Sequence, residues 1–99
     1  MASPLDPNQQ AAHEARQEAF RVLATAVTFD ELKDGVGDVY ALRRPRHGHE
    51  AAQILNFLDF RDPTKLTDVP LDHLRKAFAR IAERDPEDPR AAEYLKLLS

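Results

Sequence analysis

The apolar residues of this chain recur at helical spacing, and the stripe between Leu71 and Ile81 is the clearest case. Shorter stripes of the same period precede and follow it, and no stretch has the sustained alternation of a half-buried strand. The chain has only 3 glycines, and its abundant Ala, Leu, Glu and Arg favour helix over sheet. Its 99 residues suffice for one domain with one core. We therefore predict an all-α fold, a compact bundle of four to five short helices. The stripe consists of Leu71, Leu74, Phe78 and Ile81, which stand at positions i, i+3, i+7 and i+10.

Capping residues predict where the helices begin. Asp6 before Pro7 is an N-cap followed by a proline at the first helical position. Thr28 and Glu31 have the spacing of a capping box, so a second helix is predicted to begin there. The resulting organisation is a flexible arm over residues 1–6, a single helical domain over 7–99, and a first helix over 7–27.

The sequence also leads to a prediction about the interior of each of three helices. Gly35 and Gly37 interrupt the second helix, and we favour a stop at Asp34 over a weakened continuation. In the third helix, Phe57 and Leu58 are not expected to be fully buried together, so one apolar edge is predicted to be exposed around Phe57. The last helix is predicted to turn three residues inward: Ala92, Leu95 and Leu98.

Composition narrows the function classes. The chain has no cysteine, which excludes disulfides and cysteine-based metal sites and favours a reducing compartment, so we expect a cytoplasmic location. No apolar run is long enough to span a membrane. The net charge of −3 gives no general attraction to nucleic acid or anionic lipid. No serine is placed for nucleophilic catalysis and no glycine-rich phosphate loop is present, so we predict no enzymatic activity and no cofactor.

The segment from Arg43 to Arg46 is the main concentration of like charge. Arg43, Arg44 and Arg46 lie within four positions and contain no acid between them, although the rest of the chain is acidic. Arginine binds carboxylates and phosphates through a planar fork. We predict that these arginines, with Phe57 as an apolar neighbour, contact a partner protein that is acidic or phosphorylated. The alternatives are a phosphate site, a nucleic-acid site and a solvated loop paired with local acids. The acidic remainder of the chain disfavours the nucleic-acid site.

His47, His49 and Glu50 form the densest group of possible metal ligands. Two imidazoles and one carboxylate can bind zinc or another divalent ion. A solvated helix N-terminus, with Glu50 placed favourably for the helix dipole, is the interpretation that we prefer. The metal site is kept as the alternative function.

Residues 43–98 resemble the small helical effector-associated adaptor domains of bacterial conflict and signalling systems. The shared features are a helix that follows basic residues, an amphipathic helix after a connector, and a Leu-rich terminal helix after a short acidic turn. The resemblance implies a bacterial adaptor that associates with itself or with a paired domain. Together with the basic loop, it leads to the prediction of a non-catalytic helical interaction module: an adaptor, regulator, inhibitor or immunity-type protein that binds another protein, with self-association left open.

Overall fold

The structure, a computed structural model, describes residues 6–43 and 46–99. Within these residues the chain is helical and has no strand, so the predicted all-α bundle is confirmed. None of the described helices is both long enough and apolar enough to cross a membrane. Of the predicted N-terminal arm, only Asp6 is described. The elements are α1 (Pro7–Thr25), α2 (Phe29–Arg43), α3 (His49–Phe60), a 3-10 helix (Pro63–Lys65), α4 (Leu71–Arg84) and α5 (Arg90–Leu97).

The first two helices begin at the predicted caps. The backbone N–H of Gln9 donates to the Asp6 carboxylate over 2.8 Å, and the Gln9 side chain accepts from the Asp6 N–H in return. The N–H of Glu31 donates to the Thr28 hydroxyl over 3.1 Å. The Glu31 carboxylate accepts from the N–H of Val27 instead of the cap residue. Local hydrogen bonds therefore satisfy donors that a helix start leaves free.

The second helix continues through both of its glycines to Arg43, so the predicted stop at Asp34 is wrong. The reason is a close contact between α1 and α2. A Cβ atom on Gly35 would lie 2.8 Å from Cγ1 of Val22. The missing side chain lets the two helices approach closely, and the packing gained there outweighs the low helix propensity of glycine, about 1 kcal/mol.

Alanine at the two glycines of α2 is expected to have opposite effects on stability. A Cβ on Gly37 meets nothing within 4 Å, so Gly37→Ala should raise the free energy of unfolding by about 0.5–1 kcal/mol. Gly35→Ala forces a methyl group against the stiff Val22 side chain and should lower it by about 1 kcal/mol net, since overpacking costs about 1–3 kcal/mol. Urea unfolding followed by circular dichroism measures both. Equal stabilisation by the two substitutions would contradict a tight crossing at Gly35.

The centre of the bundle is an aromatic cluster of four rings contributed by four helices. The ring centroids in contact are 5.3–6.4 Å apart. The Tyr94 hydroxyl donates to the backbone carbonyl of Leu58, so the one polar atom among these rings is satisfied. The cluster is formed by Phe29 of α2, Phe57 of α3, Phe78 of α4 and Tyr94 of α5.

Phe57 is fully buried and Leu58 is 6% exposed, so the predicted exposed edge around Phe57 is wrong. The third helix is covered on two sides. The second helix packs on one side, and the Tyr94 ring, 5.4 Å from Phe57, covers the other. The exposed aromatic residue of α3 is Phe60, which is 71% exposed.

The predicted stripe of α4 is largely confirmed, whereas the register of α5 differs by one residue. Leu74, Phe78 and Ile81 are fully buried, and Leu71 is half-buried. In α5 Ala92 is exposed and Leu95 half-buried, and only Leu98 is buried as predicted. The inward positions are Ala91 and Tyr94, because insertion of the Tyr94 ring into the aromatic cluster fixes the rotation of the helix.

Arg90 fastens the start of α5 to α2. Its guanidinium lies 4.3 Å from the Phe29 ring centroid and donates to Asp88 over 2.6 Å and to Asp30 over 3.2 Å. The hydrogen bonds that Arg90 donates to Asp88 lower the pKa of the Asp88 carboxyl. Just before the start of α5, the Asp88 carboxylate also accepts from the Arg90 backbone N–H over 3.0 Å.

Candidate functional site

A groove of about 360 Å³ lies between α1 and α4. Its apolar side chains come from α1 and its basic side chains from α4. We call this surface the α1–α4 groove. It is lined by Phe20, Leu23, Ala24, His73, Lys76 and Arg80.

The apolar part follows from helical spacing on α1. Phe20, Leu23 and Ala24 stand at i, i+3 and i+4 and therefore share one face. Leu23 is buried and forms the floor, whereas Phe20 is half-buried. The His73 ring meets the Phe20 ring edge-on at 4.9 Å between centroids, and the Arg16 guanidinium lies 5.2 Å from the Phe20 centroid. Both contacts hold Phe20 in place at the edge of the core.

The basic part follows from α4, where His73, Lys76 and Arg80 stand at i, i+3 and i+7. Arg80 is fixed because its guanidinium donates to the backbone carbonyls of Ala26, over 2.9 Å, and of Leu23. The last turn of α1 contains no basic residue. Arg80 therefore supplies from another helix the positive charge and the donors that a helix C-terminus favours.

The groove differs in charge from the protein as a whole. The chain carries a net charge of −3, yet none of the six lining residues is acidic. Lys76 and His73 are exposed, and Arg80 is half-buried. A concave apolar surface with a positive edge attracts ligands that combine an apolar part with negative charge.

Arg43 lies in a helix and not in a solvated loop, and its predicted contact with a partner stays a prediction. It is the last residue of α2, and its guanidinium donates to the Glu18 carboxylate of α1, once over 3.3 Å and once over a shorter distance. Glu14 lies 3.8 Å away. The hydrogen bond from Arg43 lowers the pKa of Glu18. The pair therefore stabilises the fold above the ordinary pKa of glutamate, about 4.3, and this contribution is lost as the pH falls through the lowered value.

The remaining residues of the predicted basic site are only partly brought together. Arg46 is exposed in the turn between α2 and α3, and Arg44 lies outside the described residues. Phe57 is buried in the aromatic cluster and is not part of any surface. The exposed apolar residue beside the turn is Leu42, at 77% exposure.

The possible metal ligands are separated by the start of α3. His47 lies in the turn, half-buried, while His49 and Glu50 belong to the first helical turn. Over residues 6–43 and 46–99, no three His, Asp or Glu side chains are arranged so that they could hold a metal ion. The geometry thus gives the alternative metal site no support.

Sequence reasoning missed the residues of the groove. One signal was available: the side of α4 that flanks its apolar stripe carries three basic residues at helical spacing. Their apolar neighbours on α1 could not be found in this way, because Phe20 and Lys76 are far apart in the sequence. Comparison with protein-family models, with curated proteins and with solved structures gave no match.

Proposed function

We propose that this protein is a non-catalytic helical interaction module, an adaptor, regulator, inhibitor or immunity-type protein, and that it binds its partner through the α1–α4 groove. The observation that carries the proposal is the combination, in one groove, of a half-buried aromatic ring, an apolar floor and basic groups of one sign. The absence of cysteine supports a cytoplasmic location.

Several properties of the groove favour a protein partner. Its volume of about 360 Å³ is near the lower end of the range for small-molecule pockets, roughly 300–1,000 Å³. Aromatic and arginine side chains dominate the energetics of protein interfaces, and Phe20 with Arg80 provides both. Both side chains are already held by contacts within the fold, so little conformational entropy is lost on binding. The basic edge favours an acidic partner surface and accelerates its association.

The experiment begins with affinity capture from an extract of the source cells, followed by identification of the captured protein and binding of the purified pair. Lys76→Glu reverses an exposed charge of the groove and should raise the Kd by about tenfold or more. The matched control is Lys65→Glu, an exposed lysine of the 3-10 helix, which should change the Kd less than about twofold.

A third variant, Arg46→Glu, separates the groove from the predicted loop. If Arg46→Glu weakens binding of the purified partner and Lys76→Glu does not, the partner binds at the α2–α3 turn and the groove is not the site. If no purified protein binds the chain, the proposed interaction function is wrong.

A further inference from the structure

We propose that the α1–α4 groove binds the outer face of α2 of a second copy of this chain, so that copies associate head to tail. This outer face consists of Asp34, Asp38 and Leu42. This inference rests on the proposed function, because it requires the groove to be a docking surface. It adds the identity of one occupant. Both complementary surfaces lie on the same molecule, and they are different surfaces.

The outer face of α2 has the charge that the groove lacks. Asp34, Asp38 and Leu42 stand at i, i+4 and i+8, and all three are exposed. Neither aspartate forms an ion pair or a side-chain hydrogen bond with any described residue, in contrast to Asp30, which is bound to Arg90. Leu42, at 77%, is the most exposed large apolar residue of the described chain. This stripe therefore offers two free carboxylates followed by an apolar anchor.

The two surfaces also match in spacing. Lys76 and Arg80 are four residues apart, as are Asp34 and Asp38, so each pair is separated by about 6 Å along its helix. With Asp34 near Arg80 and Asp38 near Lys76, the next position along α2 is Leu42. It then lies at the end of the groove where His73 meets Phe20. One alignment of α2 with the groove thus places both carboxylates near basic groups and Leu42 near an apolar surface.

Such a contact joins different surfaces, so any assembly that does not close into a ring has a free groove at one end and a free α2 face at the other. The contact is small, and small interfaces are weak. We therefore expect association at high protein concentration, with an average mass that keeps rising beyond that of a dimer. Added salt should weaken it, because the carboxylates and the basic groups face each other at the surface.

The test is sedimentation of the purified chain, whose monomer mass is 11.2 kDa, over concentrations up to about 1 mM at low and high salt. Lys76→Glu alters only the groove, and Leu42→Asp alters only the α2 face. Each variant alone should lower the association constant by about tenfold or more. Both residues are exposed, so both variants should keep the wild-type melting temperature. Phe60→Asp and Lys65→Glu are controls of the same kind at other exposed positions and should associate like the wild type.

An equimolar mixture of Lys76→Glu and Leu42→Asp gives the decisive result. The intact α2 face of the first variant should dock in the intact groove of the second. The mixture should therefore form a dimer of twice the monomer mass and nothing larger, because both remaining surfaces are blocked. A wild-type chain that stays monomeric at low salt would overturn the inference, and so would variants that associate like the wild type or a mixture that stays monomeric. None of these results contradicts the proposed function, because the binding of a purified partner protein is measured in a separate experiment.

Discussion

Replacing Phe78 by alanine is expected to lower the free energy of unfolding by about 3–5 kcal/mol, the range for a fully buried phenylalanine. The Phe78 ring is fully buried and lies 5.6 Å from Tyr94, 6.3 Å from Phe57 and 6.4 Å from Phe29 between centroids. Three other helices hold these neighbours, so they cannot collapse into the space that the ring leaves. A loss of this size is a large fraction of the total stability of a small domain, about 5–15 kcal/mol.

The chain provides a matched control for this substitution. Phe60→Ala removes the same atoms from a position that is 71% exposed, and it should change the free energy of unfolding by less than about 0.5 kcal/mol. Urea unfolding of both variants and the wild type, followed by circular dichroism, gives the comparison. Similar losses for the two variants would show that the aromatic cluster is not the centre of the core.

Arg80→Ala is expected to lower the free energy of unfolding by about 1.5–3 kcal/mol, although Arg80 is a charged residue at the edge of a groove. The substitution removes two hydrogen bonds from a cation to the last turn of α1, at Leu23 and Ala26. It also removes a positive charge at the C-terminal end of α1, whose last turn contains no basic residue of its own.

Arg84→Ala is the control for Arg80, because Arg84 is exposed one turn later on the same helix. It should change the free energy of unfolding by less than about 0.5 kcal/mol. Arg80→Lys keeps the charge but cannot donate to two carbonyls with the same geometry, so its stability should fall between the alanine variant and the wild type. Equal stability of Arg80→Ala and Arg84→Ala would mean that the link to α1 contributes nothing.

The parts of the fold that could be predicted are those that neighbouring residues determine. Asp6 and Thr28 cap their helices through atoms only a few residues away. The stripe of α4 is set by its own period. The predictions failed where a second helix decides the outcome. Gly35 stays helical because Val22 packs against it, and Phe57 is buried because Tyr94 covers it.

The same distinction explains what was missed at the candidate site. The basic side of α4 is visible in the sequence, but a groove exists only where Phe20 of α1 packs beside it. Arg43 was expected to be free because no acid is near it in sequence, and its partner Glu18 lies 25 residues earlier. Local charge counts therefore overestimate free charge in a bundle whose helices contact one another over long sequence separations.

The shortness of α5 has a consequence for how the molecule opens. A helix of eight residues is not stable alone in water, so its order depends on Tyr94 and on the attachment of Arg90 to α2. We expect these contacts to break together, as a local unfolding event of lower free energy than global unfolding. Phe57 and Phe78 then lose their cover while α1, α2 and α3 keep their mutual contacts. The transiently open form exposes apolar surface, and its population, more than the global stability, governs how readily the chain aggregates or is cleaved.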